Sequence, residues 1–146
     1  EIYFCRKALE SFAVGLATEV ATDQEIEEIE NTLKETENAI VLEKSPELII
    51  SLNEMFHHLI IECTRNSRLK KQIDELKGLM RYFRILNFEG EDRARTILNQ
   101  HLEIFKYVKL RDKESAAREM INHLELDTKH LFEVFDRKSG LFISEK

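Results

Sequence analysis

An all-α, antiparallel helical bundle is the fold that this sequence predicts, and three observations predict it. Glycine and proline are scarce, four and one in 146 residues, whereas a β-sandwich or barrel needs such residues for a turn every ten positions or so. Hydrophobic side chains make up 42% and charged ones 34%. That is enough for one packed core with solvated outer faces, and it excludes a disordered or collagen-like chain. Apolar residues recur at helical spacing between capping signals, with short connections, so sequential helices are expected to pack antiparallel.

The elements follow in order. The first helix covers about Ile2 to Glu19. Thr22-Asp23-Gln24-Glu25 is a capping box that opens the second, which runs to about Lys44. Ser45-Pro46 is an N-cap with proline at the first helical position, and it opens a third helix to about Thr64. Asn66 breaks the chain, and a fourth helix is expected from Ser67 to Asn87. Gly90 separates it from a fifth, about Glu91 to Leu110. Asp112 caps a sixth that reaches about Phe135, after which Ser139-Gly140 predicts an irregular tail.

Charge and cysteine usage narrow the function. The net charge is −6 and the pI about 5.5, so this segment is not expected to grip phosphates itself. Glu25 to Glu30 reads as a solvated helix face. Cys5 and Cys63 are too few for a disulfide framework and read as reduced, intracellular packing residues. Apolar runs such as Leu59-Ile60-Ile61 are far shorter than a membrane span, and no basic segment precedes an apolar one as in a signal peptide. A cytoplasmic protein with no membrane partner is expected. The first residue is Glu1 rather than Met, as in an excised domain.

The polar residues on inner faces carry the chemistry. At about 100° per residue, Leu48, Leu52, Met55, Phe56, Leu59 and Cys63 form the centre of the third helix's apolar face. Asn53 and His57, four apart, share one edge of it. Glu54 and His58 fall on a water-facing strip with Ser51, Glu62 and Arg65. On the fifth helix His101 lies in the middle of the arc of Ala94, Ile97, Leu98, Ile104, Phe105 and Val108. On the sixth, His123 and Asp127 lie among Ala116, Met120, Leu124, Leu131 and Val134, with His130 at the edge. One inward histidine is ordinarily a hydrogen-bonded core residue. Three on separate helices, each costing a few kcal/mol to bury unsatisfied, point to a divalent metal held by imidazole nitrogens. Zinc or nickel leads, with iron or manganese alongside. Arg6 on the first helix and Arg84 on the fourth, with Arg81 further out, border apolar stripes. They either snorkel or pair with acids, or they face an anion in a polar cavity.

Arg6 to Ala17, Asn53 to His57, Leu59 to Asn66, Gln100 to Ile104 and Asp112 to Leu124 together resemble, in order, the motifs of the FCD domain, the effector-binding domain of the FadR subfamily of GntR-type bacterial transcription regulators. Arg6-Lys7-Ala8-Leu9-Glu10 with Ala13, Leu16 and Ala17 is similar to its opening "R-x-x-L-E-x-x-A-x-x-L-A". Asn53 through His57 is similar to "D-x-x-F-H", and Leu59 to Asn66 to "L-x-x-x-S-x-N". Gln100-His101 with Ile104 resembles "E-H-x-x-I". Asp112, Ala116 or Ala117, Met120, His123 and Leu124 resemble "D-x-x-x-A-x-x-x-M-x-x-H-L". The resemblance covers essentially residues 1–146, in order. It implies an antiparallel bundle of six to seven helices whose metal is held by His57, His101 and His123, with Asn53 at a position where the family carries Asp. Asn53 is neutral and a weaker donor than a carboxylate, so a bound dication keeps its full charge and favours anionic effectors.

The resulting expectation is a non-catalytic ligand-sensing domain. It forms a homodimer, takes a small carboxylate metabolite on the metal and on Arg6, Arg84 and Arg81, and meets operator DNA only through a winged-helix domain outside this chain. A helical-bundle metallohydrolase is the rival reading, with Asp127 its one evident base. A plain structural bundle with satisfied core histidines is another.

Overall fold

The computed structural model describes residues 1–144. Seven helices are found among them and no strand: α1 (Ile2–Val20), α2 (Asp23–Val41), α3 (Pro46–Cys63), α4 (Ser67–Leu79), α5 (Arg81–Asn87), α6 (Arg93–Lys109) and α7 (Lys113–Ser144). The caps that the sequence announces form as expected. The Thr22 hydroxyl accepts from the Glu25 amide at 3.1 Å while the Glu25 carboxylate accepts from the Thr22 amide at 2.9 Å. Ser45, Asn66 and Asp112 accept from the amides three residues on.

Few glycines are needed because the reversals use other residues in the left-handed region. Glu43, Arg65, Asp92 and Arg111 all have φ between 51° and 61°. Two of these offset the backbone cost through their side chains. Arg65 donates to the carbonyl of Val20, and Arg111 to those of Thr18 and Ala21, so both arginines cap the end of α1, where cations are favoured.

Four expectations need correction. The single fourth helix breaks at Met80, whose φ and ψ are −105° and 0°. Gly78 weakens the helix there, Met80 is buried by the turn, and the freed Lys77 carbonyl accepts from the Met80 amide at 3.1 Å and from Arg84 Nη2 at 3.0 Å. The last helix continues through Ser139 and Gly140 to Ser144 instead of fraying into a tail; residues 145–146 lie outside the described residues. On α3 the buried face is rotated towards His57, Ile60 and Ile61, leaving Leu48 and Met55 42% and 43% exposed. Cys5 is exposed, so only Cys63 is a packing residue. Burial pushes the Cys63 thiol up to about 12.

Packing order also departs from a simple up-and-down chain. The broadest contact joins α1 to α7, the first and last helices, and α2 packs chiefly on α3 and α6. The main core, with Val14, Ile29, Phe56, Leu98, Ile104 and Leu124, sits between these helices. α1, α3, α6 and α7 therefore surround one axis, and their inward polar residues meet there. No helix among the described residues is long and apolar enough to cross a membrane.

Candidate metal centre

The three inward histidines come together. Nε2 of His101 lies 3.1 Å from Nε2 of His57 and 3.1 Å from Nε2 of His123. All three donor atoms fall within 4.8 Å of one another, and all three rings are buried. Phe56, one residue before His57, stacks on the His101 ring at a centroid distance of 4.3 Å and fixes its plane.

The atoms on the far side of two rings decide where the protons are. Glu10 Oε1 lies 2.8 Å from Nδ1 of His57. A carboxylate only accepts, so His57 carries a proton on Nδ1, and in the neutral ring the lone pair is then at Nε2. Gln100 Oε1 accepts from Nδ1 of His123 at 2.6 Å, with the same consequence. Two lone pairs thus face His101, which has at most one proton to offer. Its own Nδ1 is buried without a partner among the described residues. A shared cation satisfies all three Nε2 atoms and leaves the Nδ1–H of His101 as the residual cost, about 1–3 kcal/mol. Metal–imidazole binding exceeds that severalfold. Nitrogens about 2.1 Å from one cation are spaced on the order of 3.0–3.4 Å, which is the spacing of His101 from each of its two neighbours. The donor set fits a divalent transition metal.

Charge around the rings is compensated pair by pair. Burial alone would raise the Glu10 carboxyl, but the Arg6 guanidinium and then His57 outweigh it and hold it well below the usual carboxylate range. Arg6 bonds Glu10 one helical turn away. Asp127 is held at 3.0 Å by Arg93, whose guanidinium also donates to the carbonyl and side chain of Asn87. Burial lowers the His101 pKa well below 6.5 and brings His123 to about 4, keeping these rings neutral.

Beside the histidines lies a cavity of about 40 Å³, walled by Tyr3, Arg6, Asn53, Glu54, Arg84 and Asp127 among others. It has room for an ion and little more than a water. Asn53 and Arg84 thus border the same space as His57 and His123. Arg81 is exposed at the start of α5 and outside this lining. A roomier groove between α1, α5 and α7, with Tyr3, Phe83, Leu131 and Phe135 in its walls, is mostly apolar and carries no histidine. His130 lies at the periphery, its Nε2 2.8 Å from the Glu89 carbonyl.

Three participants escape a reading of inward histidines alone. Glu10 lies three, four and seven residues before Ala13, Val14 and Ala17, which is a visible inward signal at helical spacing. Arg93 stands at the first position of α6, where no periodicity precedes it. Glu54, assigned to the water-facing strip, reaches Arg84 Nη1 at 2.7 Å with its side chain 42% exposed. Asp127, the one evident base for a hydrolase, is neutralised by Arg93.

Fold and site together define an all-α domain with a candidate metal centre buried at its axis. The chain belongs to the FCD domain family, which matches residues 1–126. It is 38% identical over 136 residues to YdhC, an HTH-type transcriptional regulator of Bacillus subtilis, covering 93% of this chain and 61% of that protein. It is 25% identical to the HTH-type transcriptional repressor RspR of Escherichia coli, over 97% of this chain and 62% of that protein. The Nta operon transcriptional regulator of Aminobacter aminovorans is 27% identical over 92% of this chain and 61% of its own length. This chain thus spans about three-fifths of the length of these relatives.

Proposed function

We propose that this chain is the effector-sensing and dimerising domain of a cytoplasmic GntR-type transcription regulator of the FadR subfamily. It holds a divalent transition metal on His57, His101 and His123, with Asn53 as the neighbouring oxygen donor. Zinc or nickel suits the three imidazoles first, iron or manganese next. The effector is a small carboxylate metabolite, and operator DNA is met through a winged-helix domain outside this chain.

The observation that carries the reading is the convergence of three Nε2 atoms whose far nitrogens are held by Glu10 and Gln100 or left free. When bound, the metal supplies a Lewis-acidic centre for an anionic oxygen. The chain's own residues do the rest. Glu10 orients His57, and Gln100 orients His123. Arg93 keeps Asp127 from competing as a free anion, and Arg84 offers a guanidinium at the cavity wall, with Arg6 behind it and Arg81 on the outer approach. With Asn53 and Gln100 neutral, and with Arg6 and Arg93 each matched by an acid, a bound dication is uncompensated, which favours an anionic effector. Binding that differs between two arrangements of the bundle shifts their populations, and thereby the spacing of the DNA-binding domains in a dimer.

Elemental analysis of the purified chain, followed by thermal denaturation with a panel of metabolite carboxylates, tests this. Near-stoichiometric metal and a carboxylate-dependent rise in Tm are expected. A chain without metal, whose Tm is indifferent to both carboxylates and chelator, overturns the reading.

A further inference from the structure

We propose that Glu54 is an internal stand-in for the effector's carboxylate. It holds Arg84 across the wall of the cavity and keeps α5 closed over the histidines until an external carboxylate takes its place. This rests on the effector reading above and adds how the site is gated.

The Arg84–Glu54 contact joins α5 to α3 at 2.7 Å, and both residues line the cavity. Arg84 Nη2 is occupied by the Lys77 carbonyl, and Nε is buried with no partner among the described residues. A guanidinium can grip a carboxylate through two parallel N–H groups. Glu54 engages Nη1 alone, while the unmet Nε lies on the other edge of the guanidinium beside Nη2, so Glu54 holds Arg84 through a single contact that a better-placed carboxylate can replace.

Neither Asp127, the other acid of the cavity wall, nor Glu10 behind Arg6 and His57 is exchangeable in this way. Glu10 and Asp127 have side chains 4% and 5% exposed and are locked to Arg6 and Arg93, so displacing either strands a buried charge. Glu54 alone can swing into water.

Space makes the same demand. A metabolite site occupies roughly 300 Å³ or more, whereas this cavity has about 40 Å³, so a wall must move. α5 is the wall with the least backbone continuity. It has seven residues and contributes Arg84 and Asn87 to the cavity. A non-helical Met80 precedes it, and a loop follows in which Gly90 and Asp92 have φ of 119° and 55°.

Glu54→Gln keeps the size of the side chain and removes its charge. Calorimetric titration of the chain with lactate, succinate and citrate, metal-loaded and chelated, is expected to show binding two- to fivefold tighter in E54Q for those that bind the wild type, the range set by a half-exposed ion pair. Backbone amides of residues 81–87 should exchange faster in ligand-free E54Q. Arg84→Lys, which keeps charge but loses the fork, should weaken binding at least as much as E54Q strengthens it. Unchanged or weaker binding by E54Q, with the wild type still binding, overturns the stand-in and leaves the effector reading intact. Absence of binding by both overturns the two together.

Discussion

Glu10 and His57, on α1 and α3, meet in the interior at 2.8 Å, with Arg6 bonded to the same carboxylate. The contact sets the proton of His57 on the nitrogen that faces away from the other two rings. A charged pair buried this deeply does little for stability by itself; its consequence here is the direction in which a lone pair points.

Glu10→Gln should therefore fold and yet hold metal more weakly. The amide can still accept from Nδ1 but no longer makes His57 more basic, and Arg6 loses its counter-charge. Loss of a carboxylate behind a metal-bound imidazole typically costs 10–100-fold in affinity. Competition with a chromophoric chelator measures this; affinity equal to the wild type would show that Glu10 serves packing alone.

Removal of the central ring should be more severe. His101 bridges both other Nε2 atoms and stacks on Phe56. His101→Ala is expected to abolish stoichiometric metal and to lower stability on the order of 2–4 kcal/mol through the cavity it leaves. Metal content by elemental analysis and urea denaturation with chelator present separate the two effects.

Asn53→Asp tests the neutral position. A carboxylate beside three imidazoles adds a charged oxygen donor next to the dication, so metal affinity should rise by an order of magnitude or more. The tightening of carboxylate effectors by metal should shrink at the same time, because the site's excess charge falls by one. An unchanged affinity for metal would place residue 53 outside the coordination sphere.

The metal-free chain should lose stability in mild acid. Burial depresses the folded pKa of His123 to about 4 and that of His101 well below 6.5, whereas both titrate near 6.5 when unfolded. Between those values the unfolded chain binds more protons, so stability is fully present above pH 6.5 and falls as pH drops towards 4. The slope approaches about 1.4 kcal/mol per pH unit for each ring. Glu10, whose folded pKa is depressed, adds a further loss below about 4.5. Urea midpoints at pH 7, 6 and 5 with chelator check this; a flat profile contradicts it.

Arg93 and Asp127 should behave as a coupled pair. Either single change, Arg93→Met or Asp127→Leu, strands a buried charge and should cost about 3–5 kcal/mol, while the double change should recover much of the loss. A double-mutant cycle by urea denaturation measures the coupling, and additive losses would contradict it.

Much of the bundle is legible in residue order because caps and periodicity act within a few positions. Thr22 with Glu25, Ser45 with Pro46, Asn66 and Asp112 each determine a helix start locally. The inward direction of His101 and His123 follows in the same way, since each sits inside an apolar arc that has only one way to face. The break at Met80 is weaker in the sequence. Gly78 hints at it, but burial of Met80 and the capture of the Lys77 carbonyl by Arg84 are tertiary events. Leu48 and Met55 mislead for a related reason: the apolar arc of α3 is wider than the face that α1 and α2 can cover, and contact decides which part is buried.

By itself, the sequence determined the helical class, the capped starts of α2, α3, α4 and α7, the histidines turned towards the axis and the family to which they belong, because each depends on spacing along a single helix. Only the tertiary structure decided that Nε2 of His101 meets those of His57 and His123 at 3.1 Å, that Glu10 and Gln100 direct the lone pairs of His57 and His123, and that Glu54 holds Arg84. Such meetings depend on the axial offset and rotation of helices relative to one another. Those are set by the summed packing of α1, α3, α6 and α7, and no local pattern encodes them.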